Sequence, residues 1–319
     1  MLVHRDLTQL PKFKNAVVTI GSFDGVHLGH QKIIRQVTKK AEDIAGESIL
    51  ITFSPHPKQV LLPSNKDLQL INTLEEKILL MEKQGIDHLI VVPFTKAFSQ
   101  ISADEYIRDF LVKNTHPHTI IIGYDHRFGH NRTGDFHLLR EMGKHYDYEV
   151  EEIPKQVIHD LTISSTKIRN YLQENKIHLA NELLGYPYFI SGKVIHGDKR
   201  GREIGFPTAN IVPGDKHKLI PSDGTYAGQV IIPSEKQTEK EKNYYGAINI
   251  GHAPTFEGKE RRVEVFILDF KGDIYGQTIH LQFHEFIRTD EKFETVQQLI
   301  SQMKADIIRV KEKLSHLKH

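Results

Sequence analysis

Short apolar runs rich in β-branched residues recur through the first half of the chain, and each is followed by a stretch whose apolar positions fall three and four apart. The runs Ala16 to Gly21, Ser48 to Phe53, His88 to Pro93, Thr119 to Gly123 and Tyr148 to Ile153 predict strands. Segments near 30 to 45, 73 to 84, 102 to 113 and 134 to 145 predict the helices between them. Strands this apolar, each separated by a helix, predict a parallel sheet covered on both faces, with ligands at the carboxyl ends of its strands. A further helical stretch from Asn175 runs to Leu184, where Gly185 supplies a left-handed residue and Pro187 prevents continuation. The domain boundary is placed there, giving domains 1–185 and 186–319.

From Tyr188 the period changes. Phe189 to His196, Tyr226 to Ile232, Tyr244 to Ile250, Arg262 to Phe270 and Thr278 to Phe286 are β-rich with no helical pattern between them, which favours an antiparallel sheet or small barrel. The charged segment Ser234 to Asn243 reads as a solvated hairpin loop. A terminal helix follows, whose apolar stripe Phe293, Val296, Ile300, Met303, Ile307, Val310 and Leu314 predicts a face packed on the barrel. The fold class is therefore α/β, with a covered parallel sheet in the N-terminal half, an antiparallel sheet or small barrel in the C-terminal half, and a terminal helix.

Composition narrows the function classes. A chain of 319 residues favours two domains, and 39% hydrophobic residues suffice for two cores. The 42 basic and 41 acidic residues nearly cancel, which argues against nucleic acid as the main ligand. With no cysteine there is no disulfide framework, and the start, MLVHRDLTQLPKFKN, has no apolar signal region. The longest apolar runs are strand-sized, far below the ~20 residues that span a bilayer. These features predict a cytoplasmic protein without a membrane segment; oligomeric state is open.

The chemistry is densest at Gly21 to His30, GSFDGVHLGH, between the first predicted strand and the first helix. A helix N-terminus offers unpaired N–H groups and a positive dipole end, the glycines at 21, 25 and 29 allow close backbone approach, and His27 and His30, three apart, can face one bound group. Zinc ligation is the alternative for two close histidines, but zinc takes three or four ligands and the chain has neither cysteine nor HExxH. The string resembles the nucleotidylyltransferase superfamily, whose HxGH signature holds ATP phosphates while an acceptor phosphate attacks the α-phosphorus.

Three more strings follow: TFSPHP, where two prolines fix His56 near the sheet's carboxyl edge; GYDHRFG, with Asp125 and Phe128; and SSTKIR, whose hydroxyls can cap a helix or meet phosphate oxygens and whose Arg169 offers a bidentate fork. Singly, each has an ordinary reading as a cap, a turn residue or a packed loop histidine. In this order they resemble the bacterial bifunctional riboflavin kinase/FMN adenylyltransferase (FAD synthetase) family, which implies a Rossmann-like N-terminal domain and a C-terminal antiparallel β-barrel with a terminal helix. The resemblance implies that Gly21, Phe23, Asp24 and Gly25 form the nucleotide loop, that His27 and His30 stabilise charge on the α-phosphate and leaving pyrophosphate, and that Ser164, Thr166 and Arg169 hold ATP phosphates. His56, Asp125 and Phe128 would lie toward flavin or metal. Ser22 and His126 depart from the family's usual asparagine and phenylalanine.

In the second half, Gly192 to Asn210 reads GKVIHGDKRGREIGFPTAN, with no GxxxxGK[ST]. Alone, it reads equally as a charged glycine-rich hairpin. Thr208 and Asn210, at i and i+2, share one face if they lie on a strand and can offer oxygen atoms to a hard cation. The stretch resembles the riboflavin kinase signature, which implies Mg-ATP binding by Thr208 and Asn210, with Gly197, Lys199, Gly205, Pro207 and Arg288 at the nucleotide or flavin. It also implies that Glu264, after the string Asn249 to Phe256, is the base for the ribityl hydroxyl. Thr225 and Phe266 are further departures. The expected substrates are ATP, riboflavin and FMN, with Mg2+. Rival readings are one decayed site, a flavin-binding RNA regulator without turnover, and an adenylyltransferase for another acceptor.

Overall fold

The computed structural model describes residues 1–61, 68–153, 163–197, 200–234, 241–255 and 258–317. The chain forms two compact units, Met1–Ser165 and Thr166–His319.

The first unit is a six-stranded parallel sheet in the order β1-β4-β3-β2-β5-β6, where β1 is Leu2–His4, β2 Ala16–Ile20, β3 Ser48–Ser54, β4 His88–Pro93, β5 Pro117–Gly123 and β6 Glu149–Ile153. Every residue of β2 is buried, as a central strand between helical layers requires. From β2 the chain proceeds through β3 to β4 on one side and resumes at β5 on the other. The crevice outside the carboxyl end of β2 is thus the place where strand order reverses and where α/β sheets receive ligands. β1 was not expected: it has three residues, two of them exposed, and pairs with His88 to Ile90 at the sheet edge. The longer helices are α1 (Leu28–Asp43), α2 (Leu74–Glu82), α3 (103–115, with a π-helical middle at Tyr106–Val112) and α4 (Phe136–Tyr146).

The second unit is a closed antiparallel barrel in the order β10-β11-β8-β7-β12-β9. Its strands are β7 Phe189–Ile195, β8 Thr208–Pro213, β9 Gly224–Ile232, β10 Lys242–Thr255, β11 Gly258–Ile267 and β12 Thr278–Arg288. Closure leaves no strand edge to pair with another chain. β10 outruns its apolar run and β11 starts at Gly258, because ladder pairing continues through charged positions such as Arg262↔Gly251 and Arg261↔His252, whereas β11 stops at Ile267, short of the expected Phe270. Residues 235–240 of the expected hairpin loop, and Phe256, lie outside the described residues.

Two helices, α5 (Ser165–Gln173) and α6 (Ile177–Leu184), precede the barrel. Gly185 ends α6 in the left-handed conformation at φ 76°, as expected. α6 packs on the barrel: Ile177, Ala180 and Leu184 are buried, while Asn181 donates from Nδ2 to the carbonyl of Phe283 and accepts the N–H of Tyr188. The compact units therefore part near the start of α5, whereas the change of sequence period falls at Gly185.

The terminal helix α7 spans Val296–Leu314, starting at a Thr295–Gln298 capping box. Its stripe packs only in part. Val310 and Leu314 are buried with Ala227 and Leu268, but Val296 is 59% exposed, so the full-length packing expected from periodicity is corrected. Among the described residues no helix is long and apolar enough to cross a membrane.

Candidate functional sites

In the first unit, the chain leaves β2 through a tight turn in which Phe23, Gly25 and Val26 all take positive φ. At Gly25, φ +91°, any side chain would be strained and would press on Ile71. Asp24 is buried beneath this turn, where its Oδ1 accepts the N–H groups of Ile71 and Asn72 at 3.0 and 3.3 Å. Its carbonyl accepts the hydroxyl of Ser165 at 2.9 Å. Asp24 thereby fixes the turn from within its own unit.

His27 is the N-cap of α1. Its Nδ1 accepts the N–H of His30 at 3.3 Å, and the two rings stack with centroids 3.6 Å apart at 14°. Burial pushes the His27 imidazole down to about 4, with Asp24 opposing. Burial also holds His30 well below the usual histidine range, and the charges of His27 and Lys77 act in the same direction. Both rings are therefore neutral near pH 7. With Nδ1 of His27 committed as acceptor, its proton sits on Nε2, which is a donor.

These residues line a cavity of about 740 Å³ at the carboxyl end of β2, together with Gly21, Phe23, His56, Asp125, Phe128 and Ser164. That volume suits a nucleotide-sized ligand. His56 follows β3 and the prolines, and its Nδ1 accepts the N–H of Lys58 at 3.1 Å. Asp125 is exposed at the rim, while Phe128 is buried and stacks on Tyr106 with centroids 5.0 Å apart. His126 stacks on Phe128, and its Nε2 is buried without a hydrogen-bond partner among the described residues. Burial lowers that ring to about 4.

The sequence reading missed the rest of the aromatic wall. Phe53, Phe94 and Phe98 also line the cavity, with Phe53 to Phe94 at 5.5 Å and Phe94 to Phe98 at 5.7 Å. Aromatics scattered over separate segments carry no spacing signal. Lys77 of α2, buried below the turn, was also missed. Thr166 and Arg169 lie on α5 in the second unit, and Ser164 lies in the first.

The second site is built on the barrel. Thr208 and Asn210 stand two apart on β8 and so share a face, and Asn210 is registered opposite Glu264 of β11. Thr208 Oγ1 donates to Glu264 Oε2 at 3.2 Å. Gly197 lies against Asn210: a Cβ there would come within 2.1 Å of the amide nitrogen, so only glycine admits this approach. Gly205 has φ +86° just before Phe206, Pro207 and β8. Lys199 lies outside the described residues. Arg288, at the end of β12, is engaged with buried Asp306 of α7 by contacts of 2.9 to 3.1 Å, so the structure commits its guanidinium to an ion pair. Among the described residues no three His, Cys, Asp or Glu side chains gather as a metal cage.

Two family models match the chain, one described as FAD synthetase over residues 10–167 and one as riboflavin kinase over residues 184–314. Among curated relatives, the bifunctional riboflavin kinase/FMN adenylyltransferase of Listeria monocytogenes is 38% identical over 295 residues, 92% of this chain and 90% of that one. The protein of the same name from Escherichia coli K12 is 34% identical over 307 residues, 96% and 95% of the two chains. A crystal structure described as a macrolide-efflux protein from Streptococcus pneumoniae matches with a TM-score of 0.82 and 33% identity, covering 100% of this chain and 99% of that one.

Proposed function

The chain belongs to the bifunctional riboflavin kinase/FMN adenylyltransferase family, and on that premise we propose how its residues divide the work. The protein is an enzyme of FMN and FAD biosynthesis with both activities. In the kinase reaction the riboflavin 5′-hydroxyl oxygen attacks the ATP γ-phosphorus, the bond to ADP breaks, and Glu264 takes the hydroxyl proton. In the adenylyl transfer an FMN phosphate oxygen attacks the α-phosphorus of a second ATP, and pyrophosphate leaves.

The observation that carries the adenylyl-transfer assignment is the His27/His30 pair at the mouth of the β2 crevice. Neutral imidazoles donate to oxygens whose charge grows in the transition state, and preorganised donors of this kind are a major source of rate. Ser164, Thr166 and Arg169 are proposed to hold ATP phosphates, Gly21 to Gly25 to frame them, and His56, Asp125 and Phe128 to bound the flavin. No covalent intermediate is needed, because alignment and charge stabilisation suffice.

In the barrel, Thr208, Asn210 and Glu264 offer only oxygen donors apart from the amide nitrogen, which fits a hard divalent cation. We propose that Thr208 and Asn210 would hold Mg2+, which would supply neutralisation of the ATP phosphate charge. Gly197, Lys199, Gly205 and Pro207 are proposed as the nucleotide flap. Arg288 is proposed to act on substrate only by fixing the end of β12 to α7. The kinase domain is taken to begin at Tyr186, with small-molecule partners only and a cytoplasmic location. Chromatography of products from riboflavin, ATP and Mg2+ tests the reading: FMN and then FAD should appear, and FMN alone would remove the first-unit assignment.

A further inference from the structure

Asp24 and Lys77 make two crossed ties between the phosphate turn and the start of α2. Asp24 reaches from the turn to the N–H groups of Ile71 and Asn72, just before the Thr73 cap of α2. Lys77 reaches back from α2, and its Nζ donates to the carbonyl of Ser22 at 2.6 Å and to Thr52 Oγ1 at 3.4 Å. Thr52 Oγ1 in turn donates to the same carbonyl at 3.3 Å. Lys77 is only 5% exposed.

An ammonium group is costly to bury, and a methionine would fill similar volume without that cost. The lysine and arginine side chains that line the cavity, Lys58, Arg127 and Arg132, are exposed, where solvent weakens their field. His27 and His30 are neutral. A positive charge that acts through low dielectric on an anion at the turn therefore has one source among these groups.

We propose that Lys77 is a positioning residue for adenylyl transfer: it holds the Ser22 carbonyl inward, so that the Gly21 to His27 turn stays open to a polyphosphate, and it sets a fixed positive charge behind the histidine pair. The proposal rests on the adenylyl-transfer reading above. Burial lowers the Lys77 ammonium to about 8, with Asp24 opposing. The titratable groups facing it are Asp24 of the turn and His30 of α1, whose ring stacks on His27. Because both histidines titrate far below neutrality, they do not change charge between pH 7 and 10.

The test uses the full chain and measures kcat/KM for FAD formation from FMN between pH 6.5 and 10, in wild type, K77R and K77M, with FMN formation from riboflavin as internal control. The wild-type value should fall as pH rises through about 8. K77R, charged throughout, should lack that decline, and K77M should be at least about tenfold slower near pH 7 with the decline absent. FMN formation should be unchanged in all three. A wild type with no decline, a K77R or K77M profile that keeps the wild-type decline, or K77M at wild-type rate would overturn the proposal. H27A and H30A in the same assay separate the two claims: normal rates there contradict the site reading itself, whereas losses there beside a silent Lys77 contradict only the role of Lys77.

Discussion

The Nδ1 of His27 accepts the backbone N–H of His30, and the two imidazoles stack 3.6 Å apart. One cap interaction thus fixes the tautomer of the first ring and the placement of the second. If both donate to developing phosphate charge, H27A and H30A should each lower FAD formation by ~10²-fold or more, the scale of removing one such donor. FMN formation should stay near wild type, because the barrel carries its own site. Rates of the two reactions from one preparation of each variant check this.

Burial of neutral His27 also links stability to pH. The unfolded ring protonates near 6.5 but the folded one only near 4, so between these values the unfolded state binds more protons. Stability from this ring is fully present above 6.5 and is lost as pH falls toward 4, by on the order of 3 kcal/mol. H27Q has no such proton to take up, so its melting temperature should drop less than that of wild type between pH 7 and 4.5. Equal drops would show that the ring is not buried neutral.

Arg288 and Asp306 test a residue for which the resemblance implied a ligand contact and the structure shows an ion pair. Removing one partner of a buried pair leaves the other uncompensated, at a cost of about 3–5 kcal/mol. R288A and D306N should both lower the melting temperature of the barrel, and residual kinase activity at low temperature should keep a near-normal KM for ATP. A folded R288A with raised KM and unchanged stability would instead place the guanidinium on the nucleotide.

The two possible boundaries make different fragments. Residues 186–319 lack α6, whose Ile177, Ala180 and Leu184 are buried against the second unit and whose Asn181 bonds Phe283 and Tyr188. Large apolar side chains contribute about 1.5–3 kcal/mol each when buried. Both 166–319 and 186–319 should fold and make FMN without FAD, and the shorter should melt lower. Kinase loss confined to the shorter fragment would move the functional boundary to the start of α5.

Much of this architecture was legible because the two halves differ in period. Apolar strands alternating with 3.6-period helices give a parallel sheet, and uninterrupted β-rich segments give an antiparallel sheet or small barrel; the parallel sheet and a closed barrel are present, with β2 and the HxGH helix where the pattern put them. Three-residue β1 lacked enough residues to show a period, and β10 outran its apolar run because ladder hydrogen bonds do not depend on side-chain polarity. Contiguous strings such as GSFDGVHLGH announce themselves. The Phe53, Phe94 and Phe98 wall and buried Lys77 do not, since they are brought together by β3, β4 and α2 with no spacing between them to read. Val296 shows the opposite error: it continues a helical stripe past the point where the barrel is there to cover it.

The central claim is that one chain holds two separable transfer sites, and the most direct measurement is a paired one: FMN and FAD formed from riboflavin, and FAD formed from FMN, in wild type, an H27A/H30A double variant and E264Q. Glutamine keeps the shape of Glu264 but cannot take the hydroxyl proton, so E264Q should lose ~10²- to 10⁴-fold in kinase kcat while still converting supplied FMN to FAD. The double variant should accumulate FMN and stop there. A folded E264Q that loses both reactions equally, or a double variant that still makes FAD at the wild-type rate, would contradict the division of labour set out above.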